Sequence, residues 1–135
     1  MNKQLKFRVW DKLEKRFIYP DKGYQGHYVL DLNGRFQNLQ NGSGGNEYVV
    51  QRFIGILDQN LKEIYERDVV KFFTLNGEEL GEVLYSTDSC AYHINDYPIM
   101  NLDLASLEIV GNMVEDYMWD ESGERLVKIY EDANP

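Results

Sequence analysis

Cys90 and His93 stand three residues apart with Asp88 close by, the spacing in this chain that comes nearest to a metal-ligand set. On a strand, residues three apart point to opposite faces, and a structural zinc site needs four protein ligands, so a buried thiol and a surface imidazole are the expected reading. Asp58 and Asn60 match the first and third positions of a calcium loop. Lys62, Glu63 and Val69 then stand at its fifth, sixth and twelfth positions, where a ligand, glycine and a bidentate glutamate belong, so a plain hairpin turn is expected. Nucleophilic catalysis would need Cys90 or a serine beside His27 or His93, and no nucleophile-elbow, phosphate-loop, dinucleotide or zinc-protease spacing accompanies them. Carboxylate pairs such as Glu78-Glu79 and Glu115-Asp116 read as solvated surface in so acidic a chain. The chain is therefore expected not to be an enzyme and to carry no metal or cofactor.

The binding-type constellation lies at the start. Lys6, Arg8 and Trp10 fall on one face of an alternating strand, with Lys12, Lys15 and Arg16 in or beside the turn that follows. Cations beside an aromatic ring can hold phosphate and stack on a base. The competing reading is that Trp10 packs over its own hairpin while the lysines are solvated.

Charge frames both readings. The 135 residues carry a net charge of −9, unevenly spread. Residues 1–16 hold six basic and two acidic groups, whereas residues 74–135 hold two basic and fourteen acidic groups. A basic start and an acidic second half suit head-to-tail self-association, or simply solubility. With 43% hydrophobic and 13% aromatic residues the composition is globular. The single cysteine excludes an intramolecular disulfide, and the charged opening MNKQLKFRVWD lacks the apolar stretch of a signal peptide. With no apolar run of bilayer-spanning length, a cytoplasmic protein with no membrane contact is expected.

The elements that must position these residues are strands. Leu5, Phe7 and Val9 alternate with Lys6, Arg8 and Trp10, and Arg16 to Tyr19 can return as a partner before Pro20. His27 to Leu32 and Arg35 to Leu39 flank Asn33-Gly34, which suits a type I′ turn. The glycine-rich stretch from Asn41 to Asn46 reads as a mobile loop or hinge. Tyr48 to Ile56 reads as a buried strand. Further strands are expected at Ile64-Tyr65, Asp68 to Thr74, Leu80 to Ser86, Cys90 to Ile94 and Glu108 to Met113, with turns at Asn76-Gly77 and Thr87 to Ser89. Strands this short and this close suggest a meander closing into a small barrel. From Tyr117 onward, Leu126, Ile129 and Tyr130 fit a helical face, whereas Ser122-Gly123 fits the turn of a terminal hairpin, the preferred reading.

Three segments, KFRVWD from Lys6, QRFIGILDQNLKEIYERDVVKFF from Gln51 and LEIVGNMVED from Leu107, resemble the YopX family found in bacteriophages and prophages. The central block is similar to the family's glutamine, aromatic, Thr-Gly-Leu-like step, Asp-x-Asn turn and Ile-Tyr-Glu-Gly-Asp-Ile-Val run. The resemblance implies a mainly β fold whose second half is a small SH3-like barrel, with no enzyme activity, catalytic residue or cofactor attached. Ile54, Leu61 and Arg67 stand where the family has Thr, Gly and Gly. If the last turn needs left-handed backbone, Arg67 is expected to be exposed at positive φ, at a cost of about 1 kcal/mol relative to glycine.

One YopX-like domain over 1–135 is thus expected, with a β-hairpin subdomain over about 1–50, an SH3-like barrel over about 51–116 and an extension over 117–135. Its function is expected to be that of a phage or prophage accessory protein, a non-enzymatic interaction or assembly module in the bacterial cytoplasm. It would associate with itself, or with another protein, through Lys6, Arg8, Trp10, Lys12, Lys15 and Arg16. The alternatives are nucleic-acid binding through the same hairpin, and an acidic inhibitor of a host nucleic-acid-binding protein.

Overall fold

A computed structural model of the chain describes residues 5–19, 28–39, 42–44 and 47–129. It is mainly β. Its contacts divide it into two compact units, Met1–Phe53 and Ile54–Pro135.

In the first unit, β1 (Phe7–Asp11) pairs antiparallel with β2 (Arg16–Ile18). On its other edge β1 takes the start of β6 (Tyr48–Leu57), with Phe7 opposite Arg52 and Asp11 opposite Tyr48. A second sheet joins β3 (Tyr28–Leu30), β4 (Phe36–Asn38) and β5 (Ser43–Gly44). Val9, Ile18 and Phe36 form the buried centre of this unit. The Phe36 ring stacks on Tyr28 at 5.2 Å and meets Tyr48 edge-on at 4.9 Å, so the short strands β3 and β4 are held to each other and to β6 by aromatic packing rather than by length.

Two expectations change here. The β3–β4 hairpin forms, but Asn33-Gly34 is not a type I′ turn, because only Gly34 of the pair has positive φ. Gly34 N donates to Asp31 O and Asp31 N to Arg35 O, which is a type I turn closed by a glycine bulge. The Asp31 carboxylate selects this turn by accepting from the amides of Asn33 and Arg35. The glycine-rich stretch is also more than a loop, since Ser43 and Gly44 extend the sheet beside β4. Gly44 allows that approach: a Cβ there would lie 3.1 Å from the Phe36 carbonyl oxygen. Pro20, His27, Asn41, Asn46 and Tyr130 lie outside the described residues.

In the second unit β6 continues beside β7 (Glu63–Tyr65). A five-stranded antiparallel sheet follows, ordered β11-β10-β9-β8-β12, from β8 (Asp68–Thr74), β9 (Gly77–Ser86), β10 (Ala91–Ile94), β11 (Tyr97–Pro98) and β12 (Glu108–Asn112). Two 3-10 turns, Ile99–Asn101 and Leu104–Ser106, bridge β11 to β12. Ile64, Val70, Phe72, Val83, Ile94 and Leu107 are buried together, the alternate residues of each strand facing one interior. The tail folds as a hairpin, β13 (Tyr117–Trp119) against β14 (Leu126–Lys128), turning around a left-handed Gly123 as its Ser122-Gly123 pair suggests.

Five of the described turns are anchored by a carboxylate or amide at the last strand position or one residue beyond it. The Oδ1 of Asp58 accepts from Asn60 and Lys62, repeating the Asp31 turn one for one: LDLNGR and LDQNLK fold alike, with Leu61 at φ 65 where Gly34 stands in the first. Asp11 and Asn112 hold a longer turn in the same manner.

Candidate interaction surface

The structure separates the six basic-hairpin candidates. Arg8 is buried at 5% exposure and is removed from any contact surface. Its Nε donates to Gln51 Oε1 at 2.8 Å, and its guanidinium carbon lies 4.3 Å from the centre of the Phe17 ring. Alternation put Arg8 on the polar face, but β1 is an inner strand of its sheet, and Phe17 reaches across from β2 to cover that face. A guanidinium tolerates such a site because its plane satisfies an amide and an aromatic face at once. Trp10 is half-buried and meets Phe17 edge-on at 5.0 Å, so its ring serves the hairpin. Lys6 is half-buried. Lys12, Lys15 and Arg16 are exposed together at the turn.

That turn is a fixed shape. Asp11, buried at 5% exposure, accepts from the amides of Leu13 and Glu14 through Oδ1, and its carbonyl accepts from Lys15 N at 2.8 Å. Lys15 adopts φ 53 as a result. Leu13 projects at the tip with its side chain largely in solvent.

The chemical candidates disperse. Among the described residues no group of three or more His, Cys, Asp or Glu side chains could hold a metal ion. Cys90 is exposed rather than buried as expected, because it takes φ 54 in the β9–β10 turn, where its Sγ lies 3.6 Å from the Thr87 carbonyl oxygen. His93 Nε2 is 2.7 Å from Ser89 Oγ, a nucleophile-to-base distance, yet both groups sit on an open hairpin. No described hydrogen bond orients the imidazole from its other side, as an activated serine requires.

Asp58 is spent on the backbone rather than on a cation. Oδ1 takes the two turn amides and Oδ2 takes Ile109 N at 3.0 Å, linking the β6–β7 turn to β12. Burial alone would push this carboxyl up, but the amides of Ile109, Lys62 and Asn60 and the Lys62 charge outweigh it and hold Asp58 below the ordinary value. Glu115 and Asp116 are exposed, as expected, and they also brace the Asn112 turn by accepting from its side-chain and backbone nitrogens.

Sequence reasoning missed Glu82. Its side chain is 2% exposed, with Oε1 accepting from Trp119 Nε1 at 2.8 Å and Oε2 lying 2.7 Å from Arg67 Nη1. The Arg67 approach is ionic rather than an aligned hydrogen bond. Arg67 itself has φ 71 and is exposed, as its departure from a glycine pattern implies. No local signal marks Glu82, because Trp119 lies 37 residues away.

On the outer face of β13–β14 lies a shallow depression of about 430 Å³, lined by Met118, Val127, Asp120, Glu121 and Ser122. Met118 and Val127 are cross-strand neighbours and form its apolar part. The Ser122 hydroxyl holds Asp120 below the ordinary carboxyl value against the opposing effect of burial, with the amides of Arg125, Glu124 and Gly123 adding to the lowering. Among the described residues no helix is long and apolar enough to cross a membrane.

Solved structures that share the fold include two from bacteria. The crystal structure of protein EF1440 from Enterococcus faecalis superposes with a TM-score of 0.56 at 19% identity, covering 84% of this chain and 96% of that one. The crystal structure of protein yopX from Bacillus subtilis does so with a TM-score of 0.58 at 18% identity, covering 82% and 94%. No curated protein matches the chain significantly. The family model described as YopX protein matches residues 6–117, most of the chain, and the chain therefore belongs to the YopX family.

Proposed function

We propose that this chain is a non-enzymatic interaction and assembly module that binds an acidic protein surface, a second copy of itself first of all, through the exposed cations of its first hairpin. The observation that carries the reading is the charge division between the two units. Met1–Phe53 holds nine basic and five acidic residues, net +4, whereas Ile54–Pro135 holds five basic and eighteen acidic residues, net −13. Opposite charge on two parts of one chain favours heterologous contacts between copies and disfavours alignment of like parts. A phage or prophage setting and a bacterial cytoplasmic site belong to this reading, resting on the family resemblance and the lone cysteine. So does an SH3-like barrel in the second unit, which the antiparallel order of β8 to β12 supports.

Light scattering tests it. Molar mass above that of a monomer is expected at low salt, falling as salt approaches about 1 M, where the Debye length shrinks to about 3 Å. A protein that stays monomeric at low salt and high concentration overturns the proposal.

A second reading is favoured by the grouping of Lys12, Lys15 and Arg16 at one turn: nucleic-acid binding in which phosphate is held without base stacking, since Trp10 is engaged with Phe17. Fluorescence anisotropy with an oligonucleotide at two salt concentrations separates it from self-association. The converse reading, an acidic decoy for a nucleic-acid-binding protein, draws on the −13 of the second unit. It is weakened by the carboxylates of Asp58, Asp68, Asp116 and Asp120, which bind backbone amides of this chain instead of forming an outward stripe.

A further inference from the structure

The self-association proposed above leaves open which surfaces meet, and two features fit one another in shape and charge. We propose that the β1–β2 tip of one copy docks into the depression on the outer face of β13–β14 of another. The tip is convex, with an exposed leucine at its end: Leu13 is 73% exposed and is flanked by the exposed Lys12, Lys15 and Arg16. The depression carries the complementary chemistry, being lined by the apolar Met118 and Val127 together with the acidic Asp120 and Glu121. Arg125 faces Asp120 across the ladder and offsets part of that charge, which leaves Glu121 and the neighbouring Glu124 as the outer anions.

Both surfaces are set before they meet. Buried Asp11 fixes the tip through two amides, and Asp120 fixes the β13–β14 turn through Ser122 and the amides of Glu124 and Arg125. Little ordering entropy is then lost on contact, the condition under which a small apolar knob and a few ion pairs yield measurable affinity. The contact joins different surfaces of two copies and is therefore heterologous, so it builds rings or open chains of copies rather than a closed two-fold dimer.

The test uses the full chain and exposed positions only. Glu121→Lys and, separately, the double change Lys12→Glu with Lys15→Glu are each expected to weaken low-salt association by about tenfold or more. An equimolar mixture of the two variants should regain it, because opposite charges again face each other. In a Cys90→Ser background, Leu13→Cys mixed with Met118→Cys should form an intermolecular disulfide under mild oxidation, while either variant alone should not. Association of the parent chain that survives Glu121→Lys and gives no such crosslink overturns this docking and leaves self-association standing. A parent chain monomeric at low salt overturns both.

Discussion

The guanidinium of Arg67 lies 2.7 Å from the carboxylate of Glu82, which is buried at 2% exposure. That pair reverses what the backbone alone dictates. Left-handed φ favours glycine at 67, but glycine would leave a carboxylate inside the second unit without its cation. Arg67→Gly is accordingly expected to lower stability by about 2 kcal/mol, part of the loss of an ion-pair partner being offset by relief of about 1 kcal/mol of backbone strain. In a Glu82→Gln background, with the ion pair already gone, the same change should raise the melting temperature slightly. Urea denaturation of the four proteins in this cycle decides it.

Leu61 isolates the backbone effect. It occupies φ 65 in a turn otherwise matched by the Asp31 turn, and its side chain is exposed. Leu61→Gly is expected to stabilise by about 0.5–1 kcal/mol, measured as a shift of the urea midpoint without a change in slope.

Asp58 should contribute to the acid limb of stability. Its folded-state pKa is lowered, so its contribution is complete above the unfolded carboxyl value and disappears as pH falls through the lower folded value. Asp58→Asn is expected to cost about 1–3 kcal/mol near neutrality and much less at acid pH, giving a flatter profile below about pH 4. Chemical melts at stepped pH provide the measurement.

The terminal hairpin is held by few groups. Two strands alone are marginal in water, so β13–β14 depends on buried Tyr117 and on the Trp119 Nε1 bond to Glu82. Trp119→Phe removes one hydrogen bond and is expected to cost about 1–2 kcal/mol. Amide exchange should accelerate in residues 117–128 before it accelerates in β8 and β9.

Alternation made the strands legible: β8 runs from Asp68 to Thr74 as its residues dictate, and β6 differs from its expected span by one residue. Local turn chemistry also carried through in the Ser122-Gly123 hairpin, and the family resemblance did so in the left-handed Arg67. Long-range polar partners were not legible. Arg8 meets Gln51 43 residues away and Glu82 meets Trp119 37 residues away, so a charged side chain on an alternating strand read as wet when it is buried. The Asn33-Gly34 pair misled for another reason, because the deciding group was Asp31 outside the pair. Of the basic hairpin, the turn lysines stand in solvent and Trp10 packs over its own hairpin, as the competing reading has it, whereas Arg8 is buried within its sheet.

The anchoring of turns by Asp11, Asp31, Asp58, Asn112 and Asp120 divides labour within each bend. One residue at the strand end fixes the path of the chain, while Leu13 and Leu32 at the apex are free of structural duty and stand largely in water. Such apices can exchange one side chain for another with little penalty to folding, so relatives that keep the anchors could display unrelated chemistry at each bend and meet different counterparts on an unchanged scaffold.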